Sequence, residues 1–494
     1  MRGSIPWLTL LPFQAERSPM AHWSNRNTSA KTTITENPKN LVSKSEYRHS
    51  NTFARPFLVL GLLPRSNCCT RQIAKYNDKL HAVLSLISPE LLKTRISELD
   101  AERASGKVRG PLYGIPVLIK DNLVTSTKLG MLTTSGGGVG GWFLLEAGAI
   151  ILGKPNLSER AAGDFHVAES WCSSSGSAIA VSAGFAPIAI GTETDGSLMM
   201  PSNRASLYSL KPTHGFPSAK GIVPVSPRLD TVGPIAKSPE EVGIMLDILA
   251  GNTSKYSAAA ENKSWSDIRV GVLDPEIWKQ PPGMIKPDAG ASAQMLAEVK
   301  AAYAKLKPLV KTFHKNVDFI PVTELAVRGT TRLMKVCYYD FATDLNGYLS
   351  SLEKSSVRCL EDLIKYNEEH AAKALLEGYS TQDMLSKSLN PGISKEEDAE
   401  NWRLLRETGR ERGIDATLKN PATKFPSAAG YPDITLPLSY LDFNGCPFGV
   451  VALASAGQEE LLLRVAGAWQ ATFPPRSPPP LLVEDNKGPQ DSLL

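Results

Sequence analysis

The sequence predicts an α/β fold, and three observations carry that prediction. Short apolar runs bounded by turn residues, Ile115–Ile119, Ala149–Leu152 and Ile188–Ile190, have the length and composition of buried strands. Between the last two, Ser177–Phe185 is small and apolar on every side (Ala178, Ala180, Val181, Ala183), as expected of a helix packed inside a core. Strand and helix alternate over residues 120–210, the pattern of a sheet with helical crossovers.

Along the chain, residues 1–70 are rich in Ser, Thr, Asn and Arg and read as a loosely ordered leader. From Thr70 onward Ile73, Leu80, Val83, Leu84, Leu92 and Leu99 recur at helical spacing. They form two helices split at Ser88-Pro89, where Ser88 caps the second. Ala291–Phe313 is a long amphipathic helix broken at Pro308, and the charged stretch 340–420 (Leu352, Leu360, Leu363, Ile364) reads as solvent-facing helices. Ile434–Tyr440 and Phe448–Leu453 are strands joined by a hairpin turn at Asn444-Gly445, and Glu459–Thr472 is a final helix. The Pro-rich tail from Pro474 has no packing signal.

Composition excludes several classes. The chain has 494 residues, with Lys+Arg 54 against Asp+Glu 50 and a net charge of +4, and no basic block with interleaved aromatics, so nucleic acid is not an expected partner. Six cysteines without a CxxC pair fit reduced thiols in a cytoplasmic protein rather than a disulfide scaffold or zinc site. The longest uncharged stretch, Ser170–Thr192, is too rich in hydroxyls to span a membrane. Ile5–Phe13 resembles the apolar core of a signal peptide, but Pro6 and Pro12 interrupt it, leaving secretion as the weaker alternative.

Three segments hold the candidate chemistry. Lys120 ends the strand Ile115–Ile119, where burial would disfavour the ammonium and leave an amine able to act as a base. The alternative is a lysine that leaves the strand into solvent. Cys172-Ser173-Ser174-Ser175-Gly176-Ser177 opens the small-residue helix, where serines could simply cap the N-terminus. Gly191-Thr192-Glu193-Thr194-Asp195-Gly196-Ser197 follows a strand, and its backbone N–H groups could stabilise an oxyanion or belong to an ordinary loop. The glycines Gly136–Gly141 lack the Lys-Ser/Thr of a phosphate loop, and His166 and His214 have no partner at ligand spacing. Met199, Met200, Tyr338 and Tyr339 read as core residues before pocket residues.

Taken together these segments resemble the amidase signature family, in particular its fungal-type members. The matching runs are Gly110–Asn122, Ala147–Glu159, Ser173–Ala178, Gly191–Ser197, Leu210–Thr213, Gly221–Ser226, Asp230–Pro234 and Ala429–Pro437, in family order from about residue 72 to 472. The resemblance implies a mixed central β-sheet covered on both faces by α-helices. It also implies one amidase-like domain over 71–473, with a catalytic core at 108–240, a variable helical region at 280–420 and C-terminal strands and helix at 426–473. The leader 1–70 and the tail 474–494 flank it.

The same resemblance implies a Ser-Ser-Lys triad: Lys120 as base, Ser173 as the bridging serine held through a cis peptide, and Ser197 as nucleophile. The two serines are 24 residues apart, the family's spacing. Ser174 and Ser175 are then structural neighbours. Backbone N–H groups around Thr194, Asp195 and Gly196 would form the oxyanion hole. The implied activity is hydrolysis of a linear carboxylic amide to a carboxylate and ammonia or an amine, through an acyl-enzyme, without metal or cofactor. The implied partner is a small-molecule amide, on a monomer or homodimer. The segments Gly136–Leu145 and Arg160–Trp171 are shorter than in the family, and Trp171-Cys172 replaces a Gly-Gly. That shortening supports one alternative, a non-catalytic protein of this fold. Another is the glutaminase-type subunit of a tRNA-dependent amidotransferase.

Overall fold

The computed structural model describes residues 7–12, 62–131, 142–157, 173–251, 253–276, 288–317, 326–327, 330–352, 355–375, 381–414 and 426–484. Eleven of its strands build one mixed sheet in the order β2-β4-β3-β5-β7-β6-β12-β13-β1-β8-β9. In chain order these are β1 (Trp7–Pro12), β2 (Val83–Leu86), β3 (Pro116–Ile119), β4 (Ile150–Pro155), β5 (Ile188–Glu193), β6 (Tyr208–Lys211), β7 (Thr231–Ala236), β8 (Arg269–Val272) and β9 (Thr312–His314). A small pair, β10 (Ala326–Val327) and β11 (Thr330–Thr331), stands apart, and β12 (Asp433–Tyr440) and β13 (Pro447–Leu453) complete the large sheet.

The helices that matter below are α1 (Leu62–Leu80), α2 (Pro89–Ala104), α3 (Ser175–Ser182), α4 (Met199–Arg204), α5 (Pro239–Leu249), α6 (Ala289–Leu306), α7 (Arg332–Ser350), α8 (Lys395–Gly409) and α9 (Glu459–Thr472). A mixed sheet covered by helices is the α/β class that the sequence predicts.

The apolar runs behave as expected. β3 lies between β4 and β5, parallel to both, and every residue of these three strands is buried. α3 packs as a small-residue helix, and the C-terminal hairpin turns at Gly445, whose φ of 69° suits glycine. α9 spans its expected residues and docks by Trp469, whose indole N–H donates to the Pro437 carbonyl at 2.7 Å. Ser88 caps α2 by accepting from the Leu91 N–H.

Four readings are corrected. The leader is not uniformly loose: Trp7–Pro12 is a strand with Leu8 and Leu10 fully buried, paired with β13 and β8, and α1 begins at Leu62. Pro12 is the last residue of that strand, where a missing N–H costs least. Val83 and Leu84 belong to the edge strand β2 rather than to a helix, since four residues are too few to show a period. The amphipathic helix stops at Leu306, and Thr312–His314 is a strand. The tail is packed as far as Leu482: Arg476 donates to the Ser206 carbonyl, and Leu482 is buried. Readings on residues 485–494 lie outside the described residues. Among those residues that are described, no helix is long and apolar enough to cross a membrane.

Candidate active site

Lys120 does not leave the sheet for solvent. Its backbone N–H continues the ladder by donating to the Ile190 carbonyl at 3.0 Å, which turns the side chain inward, where it is 0% exposed. The amine end of the side chain meets three oxygens: Ser173 Oγ at 2.6 Å, Thr192 Oγ1 at 2.8 Å and the Thr192 carbonyl at 3.3 Å. Asn122 Nδ2 donates to the same threonine hydroxyl at 3.0 Å. A buried amine without such partners would be costly, and here each neighbour is a hydrogen-bonding oxygen.

The serine run divides its labour. Ser173 meets Lys120. Ser174 stands at the N-cap of α3 but makes no capping bond. Its hydroxyl donates to the Thr192 carbonyl at 3.0 Å and accepts from the Thr192 N–H at 3.3 Å, so it locks the serine turn to β5. The capping reading is therefore replaced by a cross-link. Gly176 permits the approach: a Cβ there would lie 2.3 Å from the Asn156 carbonyl oxygen and 2.7 Å from that of Ala82. Both are backbone atoms that cannot rotate away. Gly176→Ala should therefore displace α3 and cost about 1–3 kcal/mol, read as a lowered thermal midpoint together with slower chemistry at Ser197. An unchanged midpoint would contradict this packing.

β5 ends at Glu193 and runs into the turn Thr194–Leu198, ahead of α4. Gly196 takes φ 79°, a left-handed conformation that glycine adopts without strain. Glu193 Oε2 accepts from the N–H groups of Leu198 at 2.7 Å and Met199 at 3.1 Å, fixing the far end of the turn. Thr194 Oγ1 donates to Asp230 Oδ1 at 2.5 Å at its near end. Ser197 is 5% exposed and Ser173 is 3% exposed. No side-chain hydrogen bond of Ser197 occurs among the described residues, whereas Ser173 is hydrogen-bonded to Lys120. Burial pushes the Asp230 carboxyl up to about 6, against its hydrogen bonds and the charge of Lys120.

The sequence reading gave no role to five residues around this site. Thr192 and Asn122 orient Lys120, Asp230 holds Thr194, and Lys154 pairs with Asp121 at 3.8 Å with both side chains buried. Lys154 also donates to the Leu123 carbonyl. Burial pulls its ammonium down to about 8, with Asp121 opposing that. A buried amine implies oxygen partners, so Thr192 could have been sought within the quoted motif. The Lys154 pairing depends on strand register and has no such signal.

Loop 225–230 is anchored to the charged helices. Arg228 bridges Asp340 of α7 at 2.5 Å and Asp398 of α8 at 2.9 Å, and the guanidinium groups of Arg228 and Arg406 both lie over the Trp402 ring. The expected solvent-facing helices thus have a buried face. His214 is structural, its ring 2.9 Å from the Pro227 carbonyl, and burial lowers its pKa. Met199 is buried in the core, and the Tyr338 hydroxyl meets Met384 Sδ.

The readings on Gly136–Gly141, Arg160–Cys172 and His166 fall outside the described residues. So does the Cys172–Ser173 peptide bond; the cis bond among the described residues is Phe216–Pro217. Among the described residues, no group of three or more His, Cys, Asp or Glu is placed to hold a metal ion.

A family model described as Amidase matches residues 67–139 and 142–390. A "Probable amidase" of Arabidopsis thaliana is 29% identical over 455 residues, covering 83% of this chain and 86% of its own. A glutamyl-tRNA(Gln) amidotransferase subunit of Picosynechococcus sp. is 28% identical over 471 residues, covering 81% of this chain and 92% of its own. Among solved structures, native peptide amidase from Stenotrophomonas maltophilia superposes with a TM-score of 0.71 at 26% identity, covering 85% of this chain and 95% of that one.

Proposed function

We propose, from the premise that this chain belongs to the amidase family, that it hydrolyses a linear carboxylic amide through an acyl-enzyme on Ser197. Lys120, acting as a neutral amine, takes the proton of Ser173 while Ser173 takes that of Ser197. The Ser197 oxygen attacks the amide carbonyl carbon, and the N–H groups of the Thr194–Ser197 turn receive the developing oxyanion. The relayed proton passes to the leaving nitrogen as the C–N bond breaks. Water then gives its proton to the same relay, attacks the ester and releases the carboxylate with Ser197 restored.

The observation that supports this reading best is the 2.6 Å contact between the Lys120 amine and the Ser173 hydroxyl in the protein interior. A buried lysine directed at a serine is the arrangement a base-activated nucleophile requires. The substrate is a small-molecule amide, with no metal or organic cofactor, on a cytoplasmic monomer or homodimer. The likeness to the amidotransferase chain of Picosynechococcus supports a second reading, a glutaminase that works with partner chains. It predicts that glutamine is hydrolysed and that other chains copurify.

The test is a serine-reactive fluorophosphonate probe on the purified protein, with the labelled peptide located by mass spectrometry. Modification at Ser197, absent in Ser197→Ala, is expected. A folded protein that takes up no probe would overturn the mechanism in favour of a non-catalytic member of the family.

A further inference from the structure

We infer that Asp230 is a positioning residue for the oxyanion-binding turn, acting through the hydroxyl of Thr194. The inference rests on the reading of Ser197 as nucleophile and adds a residue to it.

Asp230 is 4% exposed, and both carboxylate oxygens are occupied. Oδ1 accepts from Thr194 Oγ1 at 2.5 Å, and Oδ2 accepts from the backbone N–H groups of Val225 at 2.9 Å and Ser226 at 3.1 Å. The carboxylate therefore joins two segments distant in sequence: the turn after β5 and the loop before β7. Asp230 is buried and already accepts three hydrogen bonds, one of them from Thr194, so its route to the reaction runs through Thr194.

The turn needs such a tie. It contains Gly196 in a left-handed conformation, the residue type with the most conformational freedom, next to the proposed nucleophile. Its far end is held by Glu193, which accepts the N–H groups of Leu198 and Met199. Thr194 is the near end, held by Asp230. A donor that stabilises an oxyanion must already point at it, because reorienting a dipole during the reaction forfeits most of its value.

Asp230 is itself set in a rigid frame. It immediately precedes β7, whose Thr231 is in register with Glu193 of β5. Its N–H donates to the Ser226 carbonyl at 2.8 Å. Ser226 Oγ donates to Asp340 of α7 at 2.5 Å, and Arg228 donates to both oxygens of Asp340. The frame thus runs from the sheet to the helices of the 330–410 region, so those helices hold the turn that carries Ser197.

The test measures probe modification of Ser197 as kinact and KI for the wild type, Thr194→Val, Asp230→Ala and the double variant. A fully lost oxyanion donor slows chemistry about 10²–10³-fold, so a misdirected turn should lower kinact about 10-fold in Thr194→Val and by a similar factor in Asp230→Ala, with KI held. The double variant should be no slower than Asp230→Ala, because one device is removed twice. Wild-type kinact in Thr194→Val, or losses that multiply in the double variant, overturns the inference. Thr194→Val keeps the buried carboxylate, and so decides the matter even where Asp230→Ala does not fold. A wild type that fails to label at Ser197 instead overturns the proposed mechanism, which separates the two failures.

Discussion

Lys120→Met should lower both amide turnover and probe modification of Ser197 by at least about 10³-fold, the scale on which members of a catalytic triad act. Methionine fills the volume of the lysine stem and removes only the amine, so the variant tests chemistry rather than packing. The expectation follows from where the amine sits. Its contact with Ser173 Oγ at 2.6 Å places it within reach of that hydroxyl proton, and Thr192 and Asn122 hold it there. No carboxylate or histidine is hydrogen-bonded to Ser173 among the described residues, so no second base stands ready to replace it. Ser173→Ala interrupts the same relay, and the Lys120→Met/Ser173→Ala double variant should be no worse than the poorer single one. A Lys120→Met enzyme within about tenfold of wild type would remove lysine from the mechanism, since a base in a triad is worth far more than that.

Much of this arrangement was legible in the sequence. The buried strands β3 and β5 announce themselves as apolar runs, and each ends in a motif whose residue types suit a base or an oxyanion-binding turn. Sequence-local geometry does the rest: a residue directly after a central strand must lie at the sheet's carboxyl edge, so Lys120 and the Thr194–Ser197 turn fall side by side. What the sequence hides is pairing at a distance. β1 finds its partners through Thr9 opposite Leu453 and Leu8 opposite Val270, and nothing in a five-residue apolar run between prolines specifies which edge will accept it. The Ser174–Thr192 cross-link was hidden by a plausible local alternative, since serines before a helix ordinarily cap it. The tie between Arg228, Asp340 and Asp398 joins three charged residues that each look like solvent-facing surface in their own segment.

Lys154→Met should be the most destabilising single change near the site, at about 3–5 kcal/mol, because it leaves a buried carboxylate without its counter-charge. Lys154 and Asp121 are 0% and 1% exposed, so water cannot replace either partner. The ammonium serves a second group as well, donating to the carbonyl of Leu123. Leu123 closes the turn that starts at Lys120, its N–H donating to the Lys120 carbonyl at 2.9 Å. Losing the pair therefore loosens the segment that aims Lys120, and activity should fall along with stability. The double variant Lys154→Met/Asp121→Leu separates the two effects. With both charges gone no uncompensated ion is buried, so most of the lost stability should return, as it does when buried pairs are replaced by apolar residues. The Leu123 carbonyl still lacks its donor, so the kinact of Ser197 modification should stay below wild type. A double variant as unstable as Lys154→Met would place the cost in packing rather than charge. Full recovery of kinact would mean that the lysine serves the fold and not the base.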